Sequence, residues 1–267
     1  MQQTDLEKHL LSFEIQHFES DEYWNWAGKT LGKTRTSRLN ALRRPLQQGE
    51  ANRSHFDAFY QYIAYPAVSG IVHSMKANAI LQTGTTIDRN LPAKGRILDL
   101  GCATGYLTMF YALQSSDREL YGCDVTPRAV TQATKEAEKR GIKNINFSLN
   151  DITSEFPNDK FDAIVSSQVV GKMHGQSNTL QLIANSLTSA GSFVSVEDHG
   201  TSKESLQFVR AAGDNGLNLV AFKFVEFSDL GCAGAYPFFV FSKEDTVTDF
   251  KNDIDEAYSK FLSKYIQ

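Results

Sequence analysis

The chain has 267 residues, 41% hydrophobic and 22% charged, which can bury a full core as one domain or one domain with a cap. Its formal net charge of −4 supplies no global positive field to draw it onto nucleic acid. The three cysteines are scattered and odd in number, the amino terminus is polar, and no run of about 18 apolar residues occurs. Disulfide frameworks, signal peptides and membrane spans are therefore not indicated, and a cytoplasmic protein is expected.

Residues 1–92 are expected to form an amino-terminal helical cap, ahead of a core at 93–267. Leu6, Leu10, Leu11, Phe13, Ile15 and Phe18 fall on a rough helical stripe, followed by the aromatic cluster Tyr23, Trp24 and Trp26. Two further helices are predicted, about Ser54–Ala64 and Ala67–Leu81, parted at Pro66. These aromatics either fill core or close a lid that excludes water from a reacting centre. Lys29, Lys33, Arg35, Arg38, Arg43 and Arg44 form a run without acids, with Gly28 and Gly32 marking loop. A solvated face is the favoured reading; steering of an anionic substrate is a second. RNA contact is a third, weakened by the lack of interleaved aromatics.

From Gly95 the alternation of strand and helix patterns is regular and argues for a mostly parallel sheet. Ile97–Leu100 reads as a short buried strand, Gly101–Gly105 as a tight turn of small residues, and Tyr106–Gln114 as a helix. Such a unit places free N–H groups and a positive helix end at the strand's carboxyl edge, where polar ligands dock. Glu119–Asp124 is a second strand ending in an acid, about 20 residues past the turn, where a ribose-binding carboxylate belongs. Asp124 could equally cap the helix predicted over Pro127–Arg140. Asn144–Leu149 and Phe161–Val170 are the third and fourth strands, followed by a helix at Asn178–Leu187. A fifth strand, Ser192–Val196, is entered through Ala190-Gly191 and ends in Glu197-Asp198-His199. A helix at Ser202–Ala212 and strands at Leu219–Phe227 and Tyr236–Ser242 follow, the strands linked by the Gly-rich 231–234. An acidic amphipathic helix at Thr246–Ile266 is expected to pack on the outside, or on the partner in a homodimer.

The four strand ends, LDLGCATG, YGCD, NDI and FDAIVSSQVV, resemble the class I S-adenosylmethionine (SAM)-dependent methyltransferases over about Leu91–Lys243. Ala103 stands where the family's commonest form has its middle glycine. A dinucleotide dehydrogenase is the competing reading, but its G-x-G-x-x-G spacing is absent. The resemblance implies an α/β, three-layer Rossmann-like fold: a mostly parallel seven-stranded sheet closed by an antiparallel hairpin, with the helical cap in front. It implies SAM as methyl donor and S-adenosylhomocysteine as product. Gly101, Cys102, Ala103 and Gly105 would approach the methionine part of SAM, and Asp99 its ammonium. Asp124 would accept from the ribose hydroxyls, while Val125 and Ile152 would sandwich the adenine and Asp151 accept from its amine. Ser167 and Gln168 would border the methionine tail and the acceptor.

Methyl transfer from a sulfonium is an in-line displacement that needs positioning more than a nucleophilic side chain. If the acceptor keeps its proton, His174 is the first candidate for a catalytic base, with His199 and Glu197 second. Tyr23, Trp24 and Tyr60 are candidates for the substrate wall. No oxygen-rich cluster for a metal ion can be assembled. Ser166-Ser-Gln-Val169 stands where the family's DNA and RNA amino-methylating members carry Asn/Asp-Pro-Pro-Tyr/Phe, so nucleobase amine methylation by that route is disfavoured. The expected activity is methylation of O, N or S on a small molecule. A macromolecular acceptor (tRNA or protein) and a non-catalytic SAM-binding subunit are the alternatives.

Overall fold

The computed structural model of the chain describes residues 4–48, 53–157, 159–172, 176–244 and 250–265. Its strands are β1 (Gly95–Leu100), β2 (Arg118–Asp124), β3 (Ile145–Leu149), β4 (Phe161–Ser167), β5 (Leu187–Val196), β6 (Asn218–Asp229) and β7 (Cys232–Ser242). They form one seven-stranded sheet in the order β3-β2-β1-β4-β5-β7-β6. Strands β1 to β5 pair in parallel, and β7 lies antiparallel between β5 and β6. This is the expected Rossmann-like fold with its closing hairpin. The strand order reverses at β1, between β2 and β4, and their carboxyl ends open a crevice there.

Helices cover both faces, so the central strands are buried on both sides and read as apolar runs. Ile97 packs with one cluster and Leu98 with the other, as alternate residues of a strand must. Helices α1 (Asp5–Leu11), α5 (Ala77–Asp88), α6 (Tyr106–Gln114) and α7 (Pro127–Lys139) supply one cluster, through Leu6, Ile87, Met109 and Ala137. Helices α8 (Gln176–Ser186), α9 (Ser202–Asp214) and α10 (Lys251–Tyr265) supply the other, through Ile183, Phe208 and Ile254. A third cluster lies in α2 (Ser20–Gln47), α3 (Arg53–Ile63) and α4 (Pro66–Ser74), around Tyr23, Leu31, Tyr62 and Ile71. Within residues 1–92, α1 and α5 share the cluster of β1 and α6, while α2 to α4 gather around the third cluster, the segment expected as a cap.

Several elements depart from expectation for local reasons. The capping box of Thr4 and Glu7 starts α1, which stops at Leu11, leaving Phe13, Ile15 and Phe18 beyond it. The basic run is helical: α2 passes through it and breaks only at Gly32 (φ 68°, ψ 167°). Its first half buries Tyr23, Ala27 and Leu31, an i, i+4, i+8 stripe, so Gly28 is helical as well. The single helix expected over Ala67–Leu81 is two. The carboxylate of Asp229 accepts from the N–H groups of Asn78 (2.8 Å) and Ala79 (2.9 Å), giving α5 its own start. The β6–β7 turn is Leu230-Gly231, both at positive φ (50° and 76°), and most of the Gly-rich link is strand. Strand β5 begins at Leu187, and Gly191 sits inside it, in the stretch where the β4–β5 register shifts. Helix α10 packs on its own chain through Ile254 and Tyr258; residues 245–249, where it was expected to begin, lie outside the described residues. No helix among the described residues is long and apolar enough to cross a membrane.

Candidate active site

The turn after β1 is built on left-handed backbone: Gly101 (φ 68°), Ala103 (φ 50°) and Gly105 (φ 74°). Only Ala103 carries a side-chain penalty there, of about 1–2 kcal/mol. Gly101 is required twice over, since a Cβ on it would meet Val169 Cγ2 at 2.6 Å. The turn is tied to β2 by the Cys102 N–H, which donates to the Cys123 carbonyl at 3.0 Å. Both thiols are buried, and burial pushes them up, so they stay protonated.

Asp124 at the end of β2 joins three pieces. Its Oδ2 accepts from the Ala103 N–H (2.9 Å) and its Oδ1 from the Thr126 N–H (2.8 Å). It therefore caps the approach to α7, and Thr126 makes no side-chain cap bond of its own. Each carboxylate oxygen keeps a lone pair for a ligand, so the cap role and a ribose role coexist. Beside it Val125 is 44% exposed, an apolar side chain left open at the strand edge. Ile152 is buried, packed in the cluster that holds Leu100 and Cys123. Asp151 Oδ1 accepts from Thr153 twice, from its N–H at 3.0 Å and its hydroxyl at 2.6 Å.

Asp99 is buried at the root of the turn, where Thr108 Oγ1 donates to its Oδ2 at 2.6 Å. Burial, with the charge of Asp124 adding, pushes its carboxyl up to about 7 against the opposing bond from Thr108. A cation brought to this carboxylate would favour its ionised form. Ser167 closes β4, and Gln168 follows in the left-handed region (φ 59°), its N–H donating to the Val196 carbonyl at 2.6 Å. Backbone held in a sparsely populated region at a strand end is where functional strain collects. The Gln168 side chain accepts from Lys76 Nζ at 3.5 Å and hydrogen-bonds Tyr236, whose hydroxyl burial raises to about 12.

The cap reaches this edge through α3 and α4. Tyr60 is 47% exposed, and burial together with the charge of Asp124 raises its pKa. Arg128, in the first turn of α7, lies 3.8 Å from the ring centre of Tyr65 at the start of α4. His73 and Tyr106 meet edge to face, 5.0 Å between ring centres. Of the other two aromatics expected in a substrate wall, Tyr23 is cap core, its hydroxyl donating to the Ile71 carbonyl at 3.0 Å. Trp24 is 58% exposed, with its ring against Tyr23 rather than at the strand ends. An i, i+1 pair cannot share a helix face, so one buried side chain turns its neighbour outward.

His174 lies outside the described residues. Glu197 and His199 each sit in a buried polar group: Glu197 Oε1 accepts from Ser195 (2.6 Å) and Ser166 (3.0 Å). His199 Nδ1 lies 3.2 Å from Ser205 Oγ, which in turn is 2.7 Å from the Tyr258 hydroxyl. Among the described residues no cluster of three or more His, Cys, Asp or Glu could hold a metal ion. Sequence reasoning missed His73, Lys76, Tyr106, Thr108 and Tyr236. Their only local signal was polarity inside apolar helical or strand patterns; it is the break between α4 and α5 that brings His73 and Lys76 to the edge.

Residues 92–216 match a family model described as a methyltransferase domain. Aklanonic acid methyltransferase DauC of Streptomyces sp. (strain C5) is 34% identical over 88 residues, 32% of this chain and 40% of that protein. Malonyl-[acyl-carrier protein] O-methyltransferase of Acetivibrio thermocellus is 27% identical over 45% of this chain and 40% of its own length. The chain spans about half or less of the length of the curated relatives it matches. A TehB-like SAM-dependent methyltransferase from Corynebacterium glutamicum shares the fold at a TM-score of 0.52 and 22% identity, over 72% of this chain and 100% of that one. N-methyltransferase NodS from Bradyrhizobium japonicum, solved with S-adenosylhomocysteine, does so at 0.51 and 17%, over 61% and 85%. The strand order, the glycine turn with its two acids and the family model matched over residues 92–216 agree in supporting a class I SAM-dependent methyltransferase.

Proposed function

We propose that the protein transfers the methyl group of SAM to an O, N or S atom of a small-molecule acceptor. The observation that carries this reading is Asp124, a carboxylate with spare lone pairs at the end of β2, bonded to the glycine turn at Ala103. The surrounding residues fit the group: an exposed apolar Val125, a buried Asp99 that a cation would complement, and Gln168 across the crevice. SAM, when bound, supplies a methyl on a positively charged sulfur. The chain's part is then to grip and aim. Asp124 holds the ribose, Asp99 and the turn hold the methionine end, Val125 backs the adenine, and Gln168 borders the acceptor. Tyr60, Lys76 and Tyr236 supply polar tips on the walls, and the cap keeps water out.

A small acceptor is supported by this cap over the strand ends and by the name of a relative acting on aklanonic acid. The exposed basic face of α2 favours a macromolecular acceptor as the second reading. Release factor glutamine methyltransferase of Escherichia coli, 38% identical over 72 residues, is a relative of that kind. Its discriminating sign is a steep fall of binding with salt. Buried, unpaired Cys102 and Cys123 suit a reducing, cytoplasmic setting.

Calorimetry with SAM, S-adenosylhomocysteine and NAD tests the core reading. Heat from the first two and none from NAD is expected. Asp124→Ala should weaken S-adenosylhomocysteine by about 100-fold or more, from two lost charge-assisted bonds. Tight NAD binding without heat from SAM would sink the assignment.

A further inference from the structure

Helix α4 and the residues just past it lay a polar stripe across the crevice. Ser69 Oγ lies 3.5 Å from Thr104 Oγ1 in the glycine turn. One turn on, His73 packs its ring against Tyr106, the first residue of α6. Lys76 then reaches Gln168 at the end of β4. His73 therefore sits midway between the turn that would hold the methyl donor and the strand end that would border the acceptor.

Its protonation is set by its own helix. His73 Nδ1 is 2.7 Å from the Ser69 carbonyl oxygen, which can only accept, and 3.2 Å from the Ser69 hydroxyl, which can accept too; the shorter contact puts the hydrogen on Nδ1. Nε2 is left with a bare lone pair, and among the described residues it has no hydrogen-bond partner. We propose that His73 Nε2 is the proton acceptor of the reaction, facing the transferred methyl and taking the proton of an O–H, N–H or S–H acceptor. Burial, helped by the charge of Lys76, holds this imidazole below its usual value against the bond from Ser69, so it is neutral and basic near pH 7. As the acceptor atom bonds to the methyl carbon, the S–CH3 bond breaks with its electron pair left on sulfur. The acceptor's proton passes to Nε2, and the positive charge moves from sulfonium to imidazolium. Tyr106 stacked edge-on keeps the ring from turning.

This inference rests on the methyl-transfer reading, and the test separates the two without knowing the acceptor. Sinefungin carries a C–NH3+ where SAM has its S–CH3, so it offers a donor to whatever faces the methyl. Calorimetry on the full chain should find sinefungin about tenfold or more tighter than S-adenosylhomocysteine, the worth of one charge-assisted bond. His73→Phe should erase that preference while S-adenosylhomocysteine affinity stays within about threefold, and His73→Gln, with an acceptor oxygen, should restore part of it. A preference that survives in His73→Phe, or none in the parent protein, overturns the role of His73. Failure of the parent protein to bind either compound overturns the methyl-donor reading itself. Should His73→Phe misfold, 15N shifts of the parent protein decide instead: a proton on Nε2 at pH 7.5 overturns the inference, and one on Nδ1 alone supports it.

Discussion

Asp99 and Ala103 are the residues whose surroundings make the most definite demands. An aspartate raised to about 7 in the folded chain holds a proton that the unfolded chain has lost above the ordinary aspartate value of 3.8. Stability from this group is therefore greatest below about pH 4, falls as pH rises toward 7, and is level above it. Binding reverses the demand, because an ammonium beside Asp99 favours the ionised form. S-adenosylhomocysteine should then release up to about one proton near pH 6 and almost none at pH 8. Calorimetry in two buffers of different ionisation heat reads this, and Asp99→Asn should abolish the release. Equal heats in both buffers at pH 6 would mean that no cation approaches Asp99. Ala103 sits at φ 50°, where glycine is unstrained. Ala103→Gly should stabilise the protein by up to about 1 kcal/mol in urea unfolding, the relief of strain outweighing the freer unfolded chain. A clear loss of stability would show that the Ala103 methyl packs usefully.

At the scale of elements, the core and α3 could be read from the sequence, whereas the placement of the aromatics in α2 and the break between α4 and α5 could not. Leu98 to Leu100, Ala163 to Val165 and Phe193 to Val196 are buried on both faces, so their apolar runs announce strands. The glycine turn and Asp124 were legible because left-handed backbone and a strand-end carboxylate each demand particular residue types. Tyr23, Trp24 and Tyr60 carry no such demand: whether an aromatic fills core or lines a wall depends on which helix face it falls on. The start of α5 was illegible because its cap, Asp229, comes from a distant hairpin. Cap seating can be tested at one contact. Arg128 against Tyr65 is worth about 0.5–2 kcal/mol, and it fixes the start of α4 to the start of α7. Arg128→Ala should speed dissociation of S-adenosylhomocysteine about 2- to 30-fold in stopped flow, with the fold unchanged by circular dichroism. An unaltered rate would mean that the cap does not gate the crevice.

Across the whole molecule, the proposed site is assembled from pieces far apart in the chain and near only when it is folded. Tyr60 from α3, Lys76 at the head of α5, the turn at 101–105, Asp124 and Gln168 all converge on one edge of one sheet. The unfolded chain has no such site, so a ligand held there must stabilise the folded state by mass action. At a free concentration of 100 times its dissociation constant, S-adenosylhomocysteine should add about 2.7 kcal/mol. For a chain of this size, each kcal/mol raises the melting temperature by about 2–4 °C, giving a shift of about 5–10 °C. Differential scanning calorimetry should also show one transition, because α1 and α5 share a hydrophobic cluster with β1 and α6 and cannot melt apart from the sheet. Asp124→Ala should melt without a comparable shift at the same ligand concentration. A ligand-induced rise confined to a separate, smaller transition would place binding in the cap alone, and a rise with NAD but not S-adenosylhomocysteine would overturn the donor assigned to this crevice.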